Sequence, residues 1–503
     1  MKFVTLHIVI LILILSTYWQ SSFAQLAISP GSSITIKEGT SLYIGTNLYI
    51  KSDASGSGYL ADQNTNGNCT ITGDKTVERY LTANGWHNAS SPVSNANSSV
   101  FTGTDLIFYY DETIILNDWN FGWVWYDGSL SVMKGYDLYL SSAITASYTA
   151  TGGELLNTGN YNIAITRTDV ANGELENRKG WNLIGNPYPS PVDWLMESGW
   201  DKSDINDAKY IWNPTNNNYT IFLGGSSPTG VNGGTQYIPS NQGFWVQAIQ
   251  NGSINISNST RVGIMTSTPD YYKNSDEISQ ELRLVASGNG YTDETIIRFL
   301  AESTSDFDVN IDAAKLFSAH DSVPQICTKT GNTLLAINSH PEITDNLGVE
   351  MNFSCSTAGY YTIAFDDNST IDEFDKVYIK DLREQEIIDL SSEKIYRFLH
   401  EPTNSKSRFI VYFNPSEEII KNLKPEDLFT VITFKNNLTI TNNTNNQLNG
   451  IVNIYNMHGQ KITYFSLSES NETCVNLSVS TGYYIASIVT DNSILNSKIR
   501  ITH

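Results

Sequence analysis

Short runs of alternating or β-branched residues, cut off by Gly, Asn or Asp, constrain this chain more than any other feature. Ser33-Ile-Thr-Ile-Lys37, Leu106-Ile-Phe-Tyr-Tyr110, Thr295-Ile-Ile-Arg-Phe-Leu300, Tyr360-Tyr-Thr-Ile-Ala-Phe365 and Arg408-Phe-Ile-Val-Tyr-Phe413 are examples. Period-two runs of this length are strands, and the 3.6-residue spacing of an amphipathic helix is nearly absent. The expected class is all-β and multidomain: β-sandwich-like modules with an internal duplication, closed by a small C-terminal antiparallel sandwich. A single helical turn is expected after Ser190, which can cap a helix with Pro191 in first position and Asp193 as the box partner.

At roughly 100–200 residues per domain, 503 residues divide into several units. Segment 25–82 carries close-set short runs punctuated by Gly39 and Gly45, which suits a solenoid-like cap or edge sheet. Segment 83–265 holds a repeat, with units at about 83–170 and 178–265. Gly85-Trp86 with Pro92 is answered by Gly180-Trp181 with Pro187. Tyr109-Tyr110-Asp111 is answered by Ile211-Trp212-Asn213, and Lys134-Gly135-Tyr136 by Gln242-Gly243-Phe244. Segment 270–414 has turns at the spacing of a β-sandwich. Segment 415–427 is polar and bounded by Pro415 and Pro425, a linker, and 428–503 resumes strands.

Acidic residues outnumber basic ones 52 to 30, a net charge of −22. That balance argues against a grip on nucleic-acid phosphates or anionic lipid. Residues 1–24 read as a secretory signal: Lys2, an apolar run over 3–15, then Ser22-Phe23-Ala24, with cleavage expected between Ala24 and Gln25. The apolar run is shorter than the ~20 residues a membrane span wants, so no transmembrane segment is expected after its removal. The expected location is secreted or cell-surface.

Chemistry-bearing motifs are sparse. No Gly-x-Ser-x-Gly elbow, His-Glu-x-x-His or phosphate-binding Gly loop occurs. Cys69, Cys327, Cys355 and Cys474 form no Cys-x-x-Cys pair; Cys327 and Cys355 share one expected domain, as a bridge or as two buried thiols. Asp111-Glu112 is adjacent in sequence, whereas glycoside hydrolysis needs carboxyls facing each other across about 5–10 Å. Asp306, Asp308, Asn310 and Asp312 put oxygens at alternating positions, as a hard cation such as calcium uses, without the turn glycine or distal Glu of an EF-hand loop. A solvated acidic strand face is the competing reading. Trp86 and Trp181 read as core, with a sugar-stacking platform as the alternative. Trp119, Trp123 and Trp125 cluster after Tyr110, and on a strand Trp123 and Trp125 share a face suited to glycan contact.

The C-terminal residues carry a family resemblance. Gly450-Ile-Val-Asn-Ile-Tyr455-Asn-Met-His-Gly459-Gln, Thr481-Gly482-Tyr483-Tyr484 and Ser497-Lys498-Ile-Arg-Ile501 resemble the type A C-terminal sorting domain of the type IX secretion system of Bacteroidota. Gln460 stands where Arg is commoner. The resemblance implies that Gly450, Tyr455, Gly459, Gly482, Tyr484 and Lys498 belong to a sorting signal. It also implies as partners the type IX translocon and its sorting protease, with cleavage around 415–427. Segment 80–414 is similar to uncharacterised surface proteins of the same group, which brings no activity. The reading that follows is a non-catalytic exported β-rich protein with an adhesive or surface-structural role. The alternatives are a carbohydrate-binding protein, touching extracellular glycan or surface polysaccharide, and a polymer hydrolase with an unrecognised site.

Overall fold

The computed structural model describes residues 25–104, 106–114, 122–151, 156–168, 178–265, 280–370, 376–421, 429–443, 450–467, 472–490 and 494–503. Segment 1–24, with Ala24 and the expected signal, lies outside the described residues; Gln25 is the first of them. The chain is all-β and multidomain, with two short α-helices among the described residues.

The first segment is a parallel coil. Leu26–Ile28 pairs in parallel with Leu48–Ile50, which pairs in parallel with Lys75–Leu81. Ser33–Ile36 stacks on Tyr59–Asp62, and Leu42–Ile44 on Cys69–Ile71. Three short strands per turn point Ile28, Leu48, Ile36, Leu60 and Ile44 into one narrow interior. The coil stops where Lys75–Leu81 takes Ile144–Ala150 as an antiparallel partner. Its core continues without a break into Val93, Phe101, Tyr136 and Tyr148. The expected boundary near residue 82 is thus a change of strand direction and not of core.

The duplicated segment builds one four-strand order twice. In the first copy the order across the sheet is Gly85–Ala89, Tyr136–Leu140, Ile107–Tyr110, Trp123–Trp125. In the second it is Trp181–Gly185, Gly243–Ala248, Ile205–Asn213, Asn218–Leu223, with Thr229–Val231 added at the edge. The copies clasp reciprocally. Ala89, ending the first strand of one copy, bridges Gln242 at the entry to the last core strand of the other; Lys134, at the same entry in the first copy, bridges Ile184. The glycines of the repeated phrases make this approach possible. A Cβ on Gly135 would sit 2.6 Å from the Ile184 carbonyl oxygen, and one on Gly243 would sit 3.0 Å from the Asn88 carbonyl carbon.

The turn after Ser190 is strand and not helix. Val192–Asp193 pairs with Tyr237–Ile238. Ser190 Oγ accepts from the buried Arg261 Nε at 3.1 Å, and the Asp193 carboxylate accepts from Leu195 N–H and Gln236 Nε2. Tertiary partners have taken the groups that local signals assigned to a cap.

Residues 280–413 form a single hydrogen-bonded sheet that runs from Glu386–Asp389 to Ile395–His400. Its two end strands are joined by the short helix Leu390–Glu393, and Arg408 Nη1, on the third strand from one end, donates to the Leu399 carbonyl on the strand at the other end. The sheet therefore curls round one aromatic core containing Phe353, Tyr361, Phe398 and Phe409. Its outer side packs on the second repeat copy: Ile296, Ala313, Leu316 and Ile337 share a core with Trp181, Tyr210 and Trp245. The repeat and the sheet domain are consequently one packed body.

Part of the expected linker, Glu417–Lys421, is a short helix. Beyond it, a three-stranded and a four-stranded antiparallel sheet face each other over a separate core of Phe429, Leu438, Val452, Ile454, Ala486 and Ile499.

Candidate functional site

Register places one face of the first repeat sheet in the core and leaves the other aromatic. His87, Leu138 and Ile107 share the inner side, whereas Trp86 lies opposite Tyr139, Asn88 opposite Asp137, Phe108 opposite Trp125, and Tyr110 opposite Trp123. Alternation puts all eight of the latter on the outer face. The second copy supplies the facing wall through Trp212 and Tyr219, a cross-strand pair with ring centroids 5.1 Å apart. A cavity of about 320 Å³ lies between them, lined by Trp86, Phe108, Trp123, Trp212 and Tyr219, with Asn88, Asp137 and Ala319 completing it.

The rings are held by one another. Trp86 lies 5.5 Å from Tyr139 and 6.1 Å from Phe108. Trp123 is fixed edge-on between Tyr110 at 5.2 Å and the buried Trp245 at 5.5 Å. Such contacts are worth roughly 0.5–1.5 kcal/mol each beyond burial, so the walls are preformed. The polar element is the Asn88–Asp137 pair, with Asn88 Nδ2 donating to Asp137 Oδ1 at 2.8 Å. Burial pushes the Asp137 carboxyl up to about 8, against the downward pull of the Asn88 amide and the Leu138 N–H. Burial also pushes the Tyr219 hydroxyl up, and Asp137 adds to that shift. At neutral pH the cavity thus holds a carboxylic acid able to donate as well as accept, beside an amide.

Of the residues singled out in the sequence, Trp123 lines the cavity. Trp125 shares its face but stands outside the lining, 59% exposed. Trp119 lies outside the described residues. The repeat tryptophans divide: Trp181 is core, 4.8 Å from Tyr210, while Trp86 is 37% exposed and lines the cavity. Asp137, Phe108 and Tyr219 escaped sequence reading. The period-two pattern of Gly85–Ala89 and the match of Trp212 to Tyr110 were the available signals.

The run 306–312 is a turn and not an alternating strand. Asp312 is fully buried and accepts from Asp308 N–H and Ser339 N–H; Asp308 accepts from Thr304 N–H and Oγ1; Asn310 Oδ1 accepts from Asp207 N–H; Asp306 is exposed. The oxygens of Asp308, Asn310 and Asp312 are thus engaged by the chain's own donors. Among the described residues, no three His, Cys, Asp or Glu side chains gather as a metal site. Cys327 and Cys355 are buried free thiols, and burial pushes Cys327 up to about 12. Glu112 is buried and accepts from Thr168 N–H, Thr168 Oγ1 and Gly180 N–H, tying the two copies together.

In the C-terminal domain, Gly459 takes φ 79° in the hairpin turn that Asn456 caps. Tyr484 is buried with its hydroxyl donating to the Ser480 carbonyl. Gly450 leaves room for the Val489 carbonyl, where a Cβ would stand at 2.6 Å. Tyr455, on Gly450–Asn456, lies opposite Ile485 of Gly482–Thr490, the strand that Gly482 opens, and Ile485 lies opposite Lys498 on the next strand. Lys498 Nζ sits 4.7 Å over the Tyr483 ring.

Residues 13–413 match a family described as a domain of unknown function, DUF8693. The chain belongs to this family. The DUF8693 match ends at Phe413, the last residue of the curled sheet, so the coil, both repeat copies and that sheet fall within it and the C-terminal sandwich does not. No curated protein matches the chain. Among solved structures, a biofilm associated protein, BSP domain, aligns at 7% identity over 85% of this chain and 92% of its own, with a TM-score of 0.13. At that score the likeness carries no argument about fold or function.

Proposed function

We propose that this DUF8693 protein is a non-catalytic glycan-binding protein of the cell surface or extracellular medium, and that the cavity between the repeat copies is its binding site. The observation that carries the reading is a preformed aromatic cavity with one amide–carboxyl pair on its wall. Saccharide rings present C–H faces to aromatic rings and hydroxyls to groups that donate and accept, and binding sites combine such walls with few polar groups. Asp137 is the one carboxyl among the lining residues, whereas glycosidic cleavage takes two; binding is therefore preferred to hydrolysis. An array of oligosaccharides tested with the wild type and Trp86→Ala checks it. Retained binding by the variant, or no binding by either, removes the cavity from consideration.

Delivery is the second part of the proposal. The signal segment and the sorting-domain resemblance together argue for two-step export, with the C-terminal sandwich as address for the type IX translocon and its protease. The separate core of residues 429–501 and the end of the DUF8693 match before it support a detachable module. Cells expressing the full chain and cells expressing residues 1–427 would be fractionated. Equal export of both products overturns the sorting reading.

A further inference from the structure

Among the described residues, two buried polar atoms of the aromatic cavity's lining have no hydrogen-bond partner. They are Asn88 Oδ1, on Gly85–Ala89 of the first copy, and Trp212 Nε1, on Ile205–Asn213 of the second. Buried polar atoms are nearly always paired, and one left unpaired costs stability until a partner arrives. Each of these works one way only: the amide oxygen accepts, and the indole N–H donates. The Asn88 amide is held in that sense because its Nδ2 already donates to Asp137 Oδ1. The cavity therefore presents an unmet acceptor on one wall and an unmet donor on the wall that faces it. The rings of Trp86, Phe108 and Trp123 line the same space.

A hydroxyl donates and accepts through a single oxygen, so it serves both walls only where they close on one atom. A planar trans amide carries its N–H and C=O on opposite sides and serves both walls at once. The lining holds no Lys, Arg or His, so nothing there receives a carboxylate or sulfate. Its volume of about 320 Å³ lies near the lower end of the roughly 300–1,000 Å³ of ligand pockets, which suits one sugar ring with its substituent. We infer that the cavity takes an N-acetylhexosamine residue, the acetamido N–H donating to Asn88 Oδ1, its carbonyl accepting from Trp212 Nε1 and its methyl resting among the rings. The inference rests on the glycan reading above and adds to it the substituent that the site reads.

The test uses the full chain with methyl glycosides in matched pairs: N-acetylglucosamine with glucose, and N-acetylgalactosamine with galactose. Ligand-observed NMR titration gives each affinity, and saturation transfer reports which ligand protons touch the protein. The wild type is expected to bind an acetylated sugar about tenfold or more tightly than its hydroxyl parent, because the parent leaves buried groups unpaired. The acetyl methyl should receive the strongest saturation. Trp212→Phe keeps a ring and removes the N–H; it should lose most of the preference while still binding the parent sugars. Trp86→Ala should weaken all binding. The two pairs decide which epimer is read. Equal wild-type affinity within both pairs, or a preference undiminished in Trp212→Phe, overturns the inference and leaves the glycan reading standing. Should no glycoside bind, the inference falls, and the oligosaccharide array decides the glycan reading by itself.

Discussion

Asn88 and Asp137 face each other across adjacent strands, joined by a 2.8 Å hydrogen bond, on the wall of a cavity otherwise made of aromatic rings. The pair couples the site to pH. Burial raises Asp137 to about 8, far above the ~3.9 of an unfolded aspartate. Between these values the folded chain holds a proton that the unfolded chain has released. This group's contribution to stability is therefore complete below about pH 4 and is lost as pH rises towards 8. Asp137→Asn removes the titration. The variant should gain on the wild type by about 2–4 °C in Tm between pH 5 and pH 9, measured by thermal scans at both; a constant difference would show that Asp137 titrates normally.

Gly135 supplies a test of the clasp between copies. A methyl there would meet the Ile184 carbonyl at 2.6 Å and Leu183 Cγ at 2.7 Å. Gly135→Ala should cost about 1–3 kcal/mol in urea unfolding, the range for forced overpacking. At Gly85 the first atom met is Pro214 Cβ at 3.5 Å, ordinary contact, so Gly85→Ala should stay within about 0.5 kcal/mol.

Asp293 is fully buried and accepts from Lys315 Nζ, Ile326 N–H, Asn218 Nδ2 and Asn232 Nδ2. Asp293→Ala removes the buried counter-charge of Lys315. The expected loss is about 3–5 kcal/mol, and replacing both residues with apolar ones should recover part of it. A double variant no better than the single one would place the cost elsewhere in the network.

The four cysteines should differ in reactivity. Cys474 is exposed and should react with a thiol reagent in the native state. Burial raises Cys69 to about 11 and Cys327 to about 12, which suppresses the reactive thiolate. Native labelling should give one fast thiol, and labelling after denaturation without reductant should give four. A count of two after denaturation would mean a disulfide.

The all-β class was legible because strands such as Lys75–Leu81, Ile144–Ala150 and Ile395–His400 alternate while those buried on both faces, such as Thr333–His340, carry short apolar runs, and the duplication because its phrases hold glycines that the opposing copy's backbone requires. What misled was local chemistry without tertiary context. Ser190-Pro191 with Asp193 has the composition of a helix start, yet Arg261, 71 positions away, claims the serine. Asp306 to Asp312 alternate in sequence as a strand would, but the run turns, with Asp308 accepting from Thr304 and Asp312 from Ser339. The cavity was illegible for a different reason: its walls come from both copies, and the rings meet only through register and through the reciprocal clasp.

That clasp is the contact a two-fold dimer makes, where each partner offers the other the same surface. Here both partners are carried on one polypeptide. Their association is consequently unimolecular, governed by a tether and not by how much protein is present. A cavity assembled between the copies therefore keeps its shape at any dilution.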